Sequence, residues 1–79
     1  MSLQLTIVSP ERTLFKGEVD SVFVPGTTGR FEVLENHAPI ISSLTEGQLS
    51  YRFSELHSIN IKSGFIEVAK NKVSICVEV

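Results

Sequence analysis

The sequence predicts an all-β domain, a sandwich or small barrel of eight or nine short strands. Three observations carry that prediction. Apolar residues alternate with polar ones in short runs, which is the two-residue period of a half-buried strand. Gly, Pro and Asn close those runs at close intervals. No window carries a 3.6-residue apolar period, so no long helix is expected.

Taken in order, Leu3, Leu5 and Ile7 occupy every second position and fall on one face of a first strand, closed by Ser9-Pro10-Glu11. Residues 13–16 read as a second strand ended by Gly17. Residues 19–24 follow, with Val22 and Val24 on one face and Val19 and Phe23 on the other, so both faces carry apolar load. Pro25-Gly26 reads as a turn. Residues 29–34 alternate again until Glu35-Asn36 breaks the pattern. Proline holds the preceding Ala38 extended, and its nitrogen cannot donate, so Pro39 belongs at a strand start or an edge with Ile40 and Ile41 after it.

Thr45-Glu46-Gly47 turns the chain into Leu49, Tyr51 and Phe53, which alternate inward against Ser50 and Arg52. Residues 54–57 read as a connection, and Ile59 and Ile61 as another alternating pair. Phe65, Ile66 and Val68 follow Gly64. Lys70-Asn71-Lys72 is a hairpin turn into Val73, Ile75 and Val77. Residues 25–47, with His37-Ala38-Pro39 at their middle, are where the chain leaves this rhythm, and a working surface is expected there.

Composition bounds the function. At 79 residues the chain is one domain, spanning residues 1–79, with no internal repeat, linker or low-complexity tract. A hydrophobic fraction of 42%, charged residues at 20% and a net charge of −2 describe an ordinary globular domain. The seven Lys and Arg are scattered, which argues against nucleic acid as a partner because phosphate binding needs a basic patch. The single Cys76 has no partner for an internal disulfide and reads as a core or half-core thiol, which suggests a reducing compartment. No apolar run approaches the roughly 18 residues that span a bilayer, and the N-terminus lacks the regions of a signal peptide. The expectation is a cytosolic chain, without direct membrane insertion, unless another protein carries it to a membrane.

Enzymatic constellations are weak. Glu32, Glu35 and His37 are the best local metal candidates, but in a strand Glu32 and Glu35 would point to opposite faces. Cys76 with His37 or His57 has no spacing that supports a nucleophile and its base. Gly26 and Gly29 lack the helix and lysine of a phosphate loop. No catalytic residue, metal or cofactor is expected.

What remains is a binding or connecting module. The residues Leu5-Thr6-Ile7-Val8-Ser9-Pro10-Glu11, Phe15-Lys16-Gly17, Val24-Pro25-Gly26 with Gly29, His37-Ala38-Pro39-Ile40-Ile41, Ile61-Lys62-Ser63-Gly64-Phe65-Ile66-Glu67-Val68 and Val73-Ser74-Ile75 occur in this order along the whole chain. Together they resemble the epsilon subunits of F-type ATP synthases. The resemblance implies the N-terminal domain of that family, a flattened β-sandwich of about ten strands. With the strand count from alternation, the expectation is about eight to ten short, mostly antiparallel strands. It further implies a non-catalytic central-stalk subunit that binds the gamma subunit and the membrane c-subunit ring and joins proton-driven rotation to ATP synthesis. Its place would be peripheral, on the cytoplasmic face of the bacterial inner membrane as part of F1.

Carried over by residue, the resemblance puts residues 25–30 and 35–39 toward the ring. The candidate contacts are Gly29, Arg30, Glu32, Glu35, Asn36, His37, Ala38 and Pro39, and Ser9 and Ser42 fall where gamma-facing strands begin. His37 is the leading ring contact; as a plain loop histidine it would only hydrogen-bond a neighbouring carbonyl. Arg30 stands where the family commonly has an acid, so Glu32 or Glu35 would take over any pairing with a basic ring loop. Asn36 replaces the usual glycine, a modest change because asparagine tolerates the left-handed conformation. Many relatives continue into a C-terminal helical hairpin that restrains hydrolysis and in some species binds ATP. No residues follow Val79 to form one, so coupling without that inhibition or nucleotide sensing is expected. The alternative is a free-standing β-sandwich that binds a sugar or peptide, but there is no Trp to supply a stacking face.

Overall fold

Strand pairing absorbs nearly the whole chain. The computed structural model describes residues 2–79 and contains, among them, nine strands and no helix. These are β1 (Leu3–Val8), β2 (Thr13–Val19), β3 (Ser21–Gly26), β4 (Gly29–Val33), β5 (Ile40–Leu44), β6 (Gly47–Phe53), β7 (Glu55–Ile61), β8 (Ser63–Ala69) and β9 (Lys72–Glu78). All pairs are antiparallel except β1 with β9.

Hydrogen bonding follows one path, β2-β1-β9-β8-β5-β3-β6-β7, with β4 on β3. Val22 of β3 pairs with both Val33 and Tyr51, so β4 and β6 flank β3 on opposite sides. The step from β5 to β3 rests on a single pair, Gly26 opposite Leu44. There the sheet folds into two layers, β2-β1-β9-β8-β5 and β4-β3-β6-β7. Two further backbone bonds brace the corner, Thr27 N–H to Ser43 O at 3.3 Å and Thr45 N–H to Pro25 O at 2.9 Å. A side chain at Gly26 would sit 2.7 Å from the Gly29 carbonyl oxygen and against the Phe31 ring, so the β3–β4 hairpin needs glycine there.

The core lies between the layers. Leu3, Leu5, Ile7, Ile66 and Ile75 from one meet Val22, Val24, Val33 and Leu49 from the other, and none is more than 1% exposed. Each such side chain contributes about 1.5–3 kcal/mol relative to exposure. At the open side, β2 approaches β6 through Phe15 and Tyr51, whose ring centroids lie 4.4 Å apart, and His57 stacks on Tyr51 at 5.3 Å.

Several boundaries differ from the sequence reading. Gly17 lies inside β2, where the Phe15 ring covers the space a side chain would take, and Val19 ends β2 rather than opening β3. Pro25 and Gly26 complete β3, and the turn falls at Thr27-Thr28. Residues 55–57 belong to β7, reached through Ser54 at φ 66. As an edge strand with one partner, β7 pairs through its backbone and needs no apolar alternation there. Phe53 shares the inward face of Leu49 and Tyr51 but lies past the end of the core and is 54% exposed. Cys76 is half-buried, but on the outward face of β9, because its neighbours Ile75 and Val77 take the core positions.

Two outcomes follow from the packing. A Cβ at Gly64 would collide with the Cys76 carbonyl oxygen and lie 3.2 Å from Val77 Cα, both backbone atoms that cannot swing away. Gly64→Ala is therefore expected to cost about 2 kcal/mol, seen as a thermal midpoint lowered by about 10 °C. Burial of Tyr51 raises its phenol above the ordinary value of 10.0 by desolvating the charged form. A raised folded-state value means its stabilising contribution is full below pH 10 and is lost as pH rises beyond, when the unfolded chain ionises first. Thermal melts of Tyr51→Phe should lack that part of the alkaline decline.

Candidate functional site

The residues from Gly29 to Pro39 form one edge of the molecule. β4 pairs only with β3, and a turn leaves each of its ends. The two turns lie about 13 Å apart, given ~3.3 Å per strand residue. The candidate residues are thus strung along an edge rather than gathered in a cavity.

At the first end, Thr27-Thr28 joins β3 to β4 and Gly29 follows at φ 141. Arg30, opposite Pro25, reaches across β3 and donates from Nη1 to the Gln48 carbonyl of β6. That carbonyl lies beyond Phe23 opposite Ser50, the last pair before β3 and β6 part. The Arg30 side chain is therefore laid along its own sheet. Glu32 is exposed on the same face of β4, opposite Phe23.

At the second end, residues 34–37 turn, with His37 N–H donating to Leu34 O at 3.1 Å. Asn36 adopts φ 65, the left-handed conformation that the third residue of such a turn demands and that asparagine tolerates. Its N–H donates to Asn71 Oδ1 at 2.6 Å, and Asn71 Nδ2 donates back to Asn36 Oδ1 at 3.3 Å. His37 Nδ1 donates to the Ala38 carbonyl at 2.8 Å, the neighbour-carbonyl bond of a plain loop histidine. Ala38 and Pro39 are exposed and lead directly into β5. Glu35 is half-buried, and its Oε2 is enclosed without a hydrogen-bond partner.

The two serines sit elsewhere. Ser9 Oγ accepts from Arg12 N–H at 3.3 Å and donates to Arg12 O at 3.2 Å, closing the link from β1 to β2. Ser42 lies near the middle of β5. It stands opposite the buried Ile66 on the inward side of β5, half-buried, and donates to Ser43 O at 3.2 Å.

Between these serines runs a surface that the sequence reading missed. Val8, Cys76 and Phe65 occupy successive outward positions on β1, β9 and β8, and Ile41 on β5 lies diagonal to Phe65. Ile41 is 78% and Phe65 56% exposed. Shallow grooves flank this apolar stripe, one at Pro10, Ser63 and Glu78 and one at Pro39, Glu67 and Ala69. The signal was present in two apolar doublets, Ile40-Ile41 and Phe65-Ile66. Strand neighbours point to opposite faces, so one member of each doublet must face out.

No group of three metal-capable side chains converges among the described residues, Glu32, Glu35 and His37 included. Cys76 and His57 lie in different layers.

Likeness to known proteins decides the family. Residues 2–79 match the family model described as ATP synthase, Delta/Epsilon chain, beta-sandwich domain. The chain belongs to that family. It is 48% identical over 77 residues to the ATP synthase epsilon chain of Leptospira borgpetersenii, covering 96% of this chain and 61% of that relative. It is 37% identical over 79 residues to the ATP synthase epsilon chain of Chlorobium limicola, covering 90% of that relative. The chain thus spans less than two thirds of some relatives and nearly all of another. Among solved structures, a chain of the Euglena gracilis mitochondrial ATP synthase, seen with OSCP, F1 and c-ring, superposes with a TM-score of 0.91 at 21% identity, over 96% of this chain and 50% of that one. At that identity the match establishes a shared fold.

Because Arg30 closes the gap between β3 and β6, Arg30→Ala should destabilise the sandwich by about 1 kcal/mol, read as a lower urea midpoint at unchanged slope.

Proposed function

We propose that this chain is a central-stalk subunit of a rotary F-type ATP synthase, binding the gamma subunit and the membrane c-subunit ring and coupling proton-driven rotation to ATP synthesis without performing chemistry itself. The observation that carries the reading is a stiff two-layer body bearing an apolar stripe on one sheet and a separate polar edge along β4. Apolar side chains as open as Ile41 and Phe65 gain free energy when a partner covers them.

The stripe is the surface offered to gamma. It begins beside Ser9, one of the two positions that the family resemblance assigns to gamma contact, whereas Ser42 faces inward on β5 and lies off it. The edge from Gly29 to Pro39 faces the ring. Arg30 is held against Gln48, Glu32 is the exposed carboxylate of the edge, and a basic ring loop is the matching surface for it. The domain would act at the cytoplasmic face of the bacterial inner membrane, held there by its partners. No helix among the described residues is long and apolar enough to cross a membrane. Residues 2–79 form the coupling element and carry no helical hairpin for inhibition or ATP sensing.

Gel filtration with the gamma subunit of the same synthase tests the reading. Wild-type chain should co-elute with gamma, while Ile41→Asp combined with Phe65→Asp should weaken capture by about a hundredfold, as expected when two side chains central to an interface change from apolar to charged. Both side chains lie outside the core, so thermal stability should stay within about 0.5 kcal/mol of wild type. A chain that ignores gamma, or a double variant that still co-elutes fully, overturns the assignment.

A further inference from the structure

The turn between β8 and β9 contains an asparagine that turn chemistry does not require. Ala69 pairs with Lys72, leaving a two-residue loop, Lys70-Asn71, with φ 52 and 63. Turns with positive φ at both residues favour asparagine first and glycine second, because glycine adopts the left-handed conformation without steric cost. This chain has lysine first and asparagine second. The second position thus forgoes the residue its backbone favours and retains a side chain with both a carbonyl and an amide.

Both polar atoms of that side chain are engaged. Asn71 Oδ1 accepts the Asn36 N–H at 2.6 Å and Asn71 Nδ2 donates to Asn36 Oδ1 at 3.3 Å, across 35 residues of sequence. The Asn71 backbone carbonyl accepts Gln4 N–H at 2.8 Å, tying the same residue to the start of β1. Asn36 in turn holds φ 65 at the bend that aims His37, Ala38 and Pro39. Three parts of the chain meet at one asparagine: the first strand, the β8–β9 turn and the loop that crosses from β4 in one layer to β5 in the other.

The geometry points to Asn71 as a positioning residue: it fixes residues 34–39 from outside that loop, so the shape of the candidate contact edge is set by the β8–β9 hairpin. That the loop contacts a partner rests on the function proposed above; that Asn71 sets its conformation does not.

Asn71→Gly separates the two roles of this residue. Glycine suits the turn, so the hairpin and the thermal midpoint should be preserved or improved, while both side-chain bonds to Asn36 disappear. Amide hydrogen exchange of the 79-residue chain, read residue by residue by NMR, should show the Asn36 amide exchanging about tenfold faster, the equivalent of one ordinary hydrogen bond. Exchange in β8 and β9 should be unchanged. Asn71→Asp keeps the Oδ1 acceptor and should restore most of the Asn36 protection. Unchanged Asn36 exchange in Asn71→Gly, or faster exchange spread over the whole sheet with a lower midpoint, overturns the inference. Capture of the Asn71→Gly chain on vesicles carrying the c-subunit ring then tests the contact reading separately. Faster Asn36 exchange with unaltered capture upholds the positioning role and removes residues 34–39 from the contact surface.

Discussion

Two layers of sheet share one core, yet they are joined at the corner by one strand pair, Gly26 opposite Leu44, and two flanking backbone bonds. Strand pairing across the corner is therefore too sparse to hold the layers together, and cross-layer burial must do it. This explains why the inward positions of β1, β3, β8 and β9 are aliphatic almost without exception. It also explains the aromatic contact between Phe15 and Tyr51, which closes the side opposite the corner where no strand pairing is available. Such closure matters in a chain of 79 residues, because a small domain buries a smaller share of its surface than a large one.

Most of this was legible in the alternation of residues. Leu3, Leu5 and Ile7, then Val73, Ile75 and Val77, announced both a strand and the face it buries, and both assignments hold. The positions that misled are those where tertiary pairing overrides a local signal. Pro25-Gly26 is a strong turn signal, but both residues pair with β4, where Gly29 and the Phe31 ring fill the space a side chain at Gly26 would take, and β3 runs through them. Residues 55–57 carry no apolar pattern because an exposed edge strand needs none.

The candidate site was legible in position more than in contact. Residues 29–39 do form a single edge, and the left-handed conformation of Asn36 follows from what replaced glycine there. No local pattern reveals that Arg30 reaches the Gln48 carbonyl, or that Asn36 pairs with Asn71. The first spans 18 positions and is set when β4, β3 and β6 align within one layer; the second spans 35 and is set only when the layers fold over each other. The apolar stripe was hidden for a different reason. Two-residue periodicity assigns one face to the interior, and an apolar doublet reads first as a stronger strand; only the register shows which of Ile40 and Ile41 is left outside.

In the proposed role the connection between edge and stripe decides how well the domain carries load. A force on β4 reaches the other layer through the core, where packing at crystal-like density leaves little room for deformation. The covalent route is shorter, since residues 34–39 lead straight from β4 into Ile40 and Ile41. A loose linker there would let the edge move without moving the stripe. The chain stiffens that stretch at both ends: Asn36 is held in its bend by Asn71, and the ring of Pro39 fixes φ at the entrance to β5. Within the sandwich, the loop that looks least like regular structure is thus the part whose rigidity governs whether a displacement at the polar edge arrives at the apolar face.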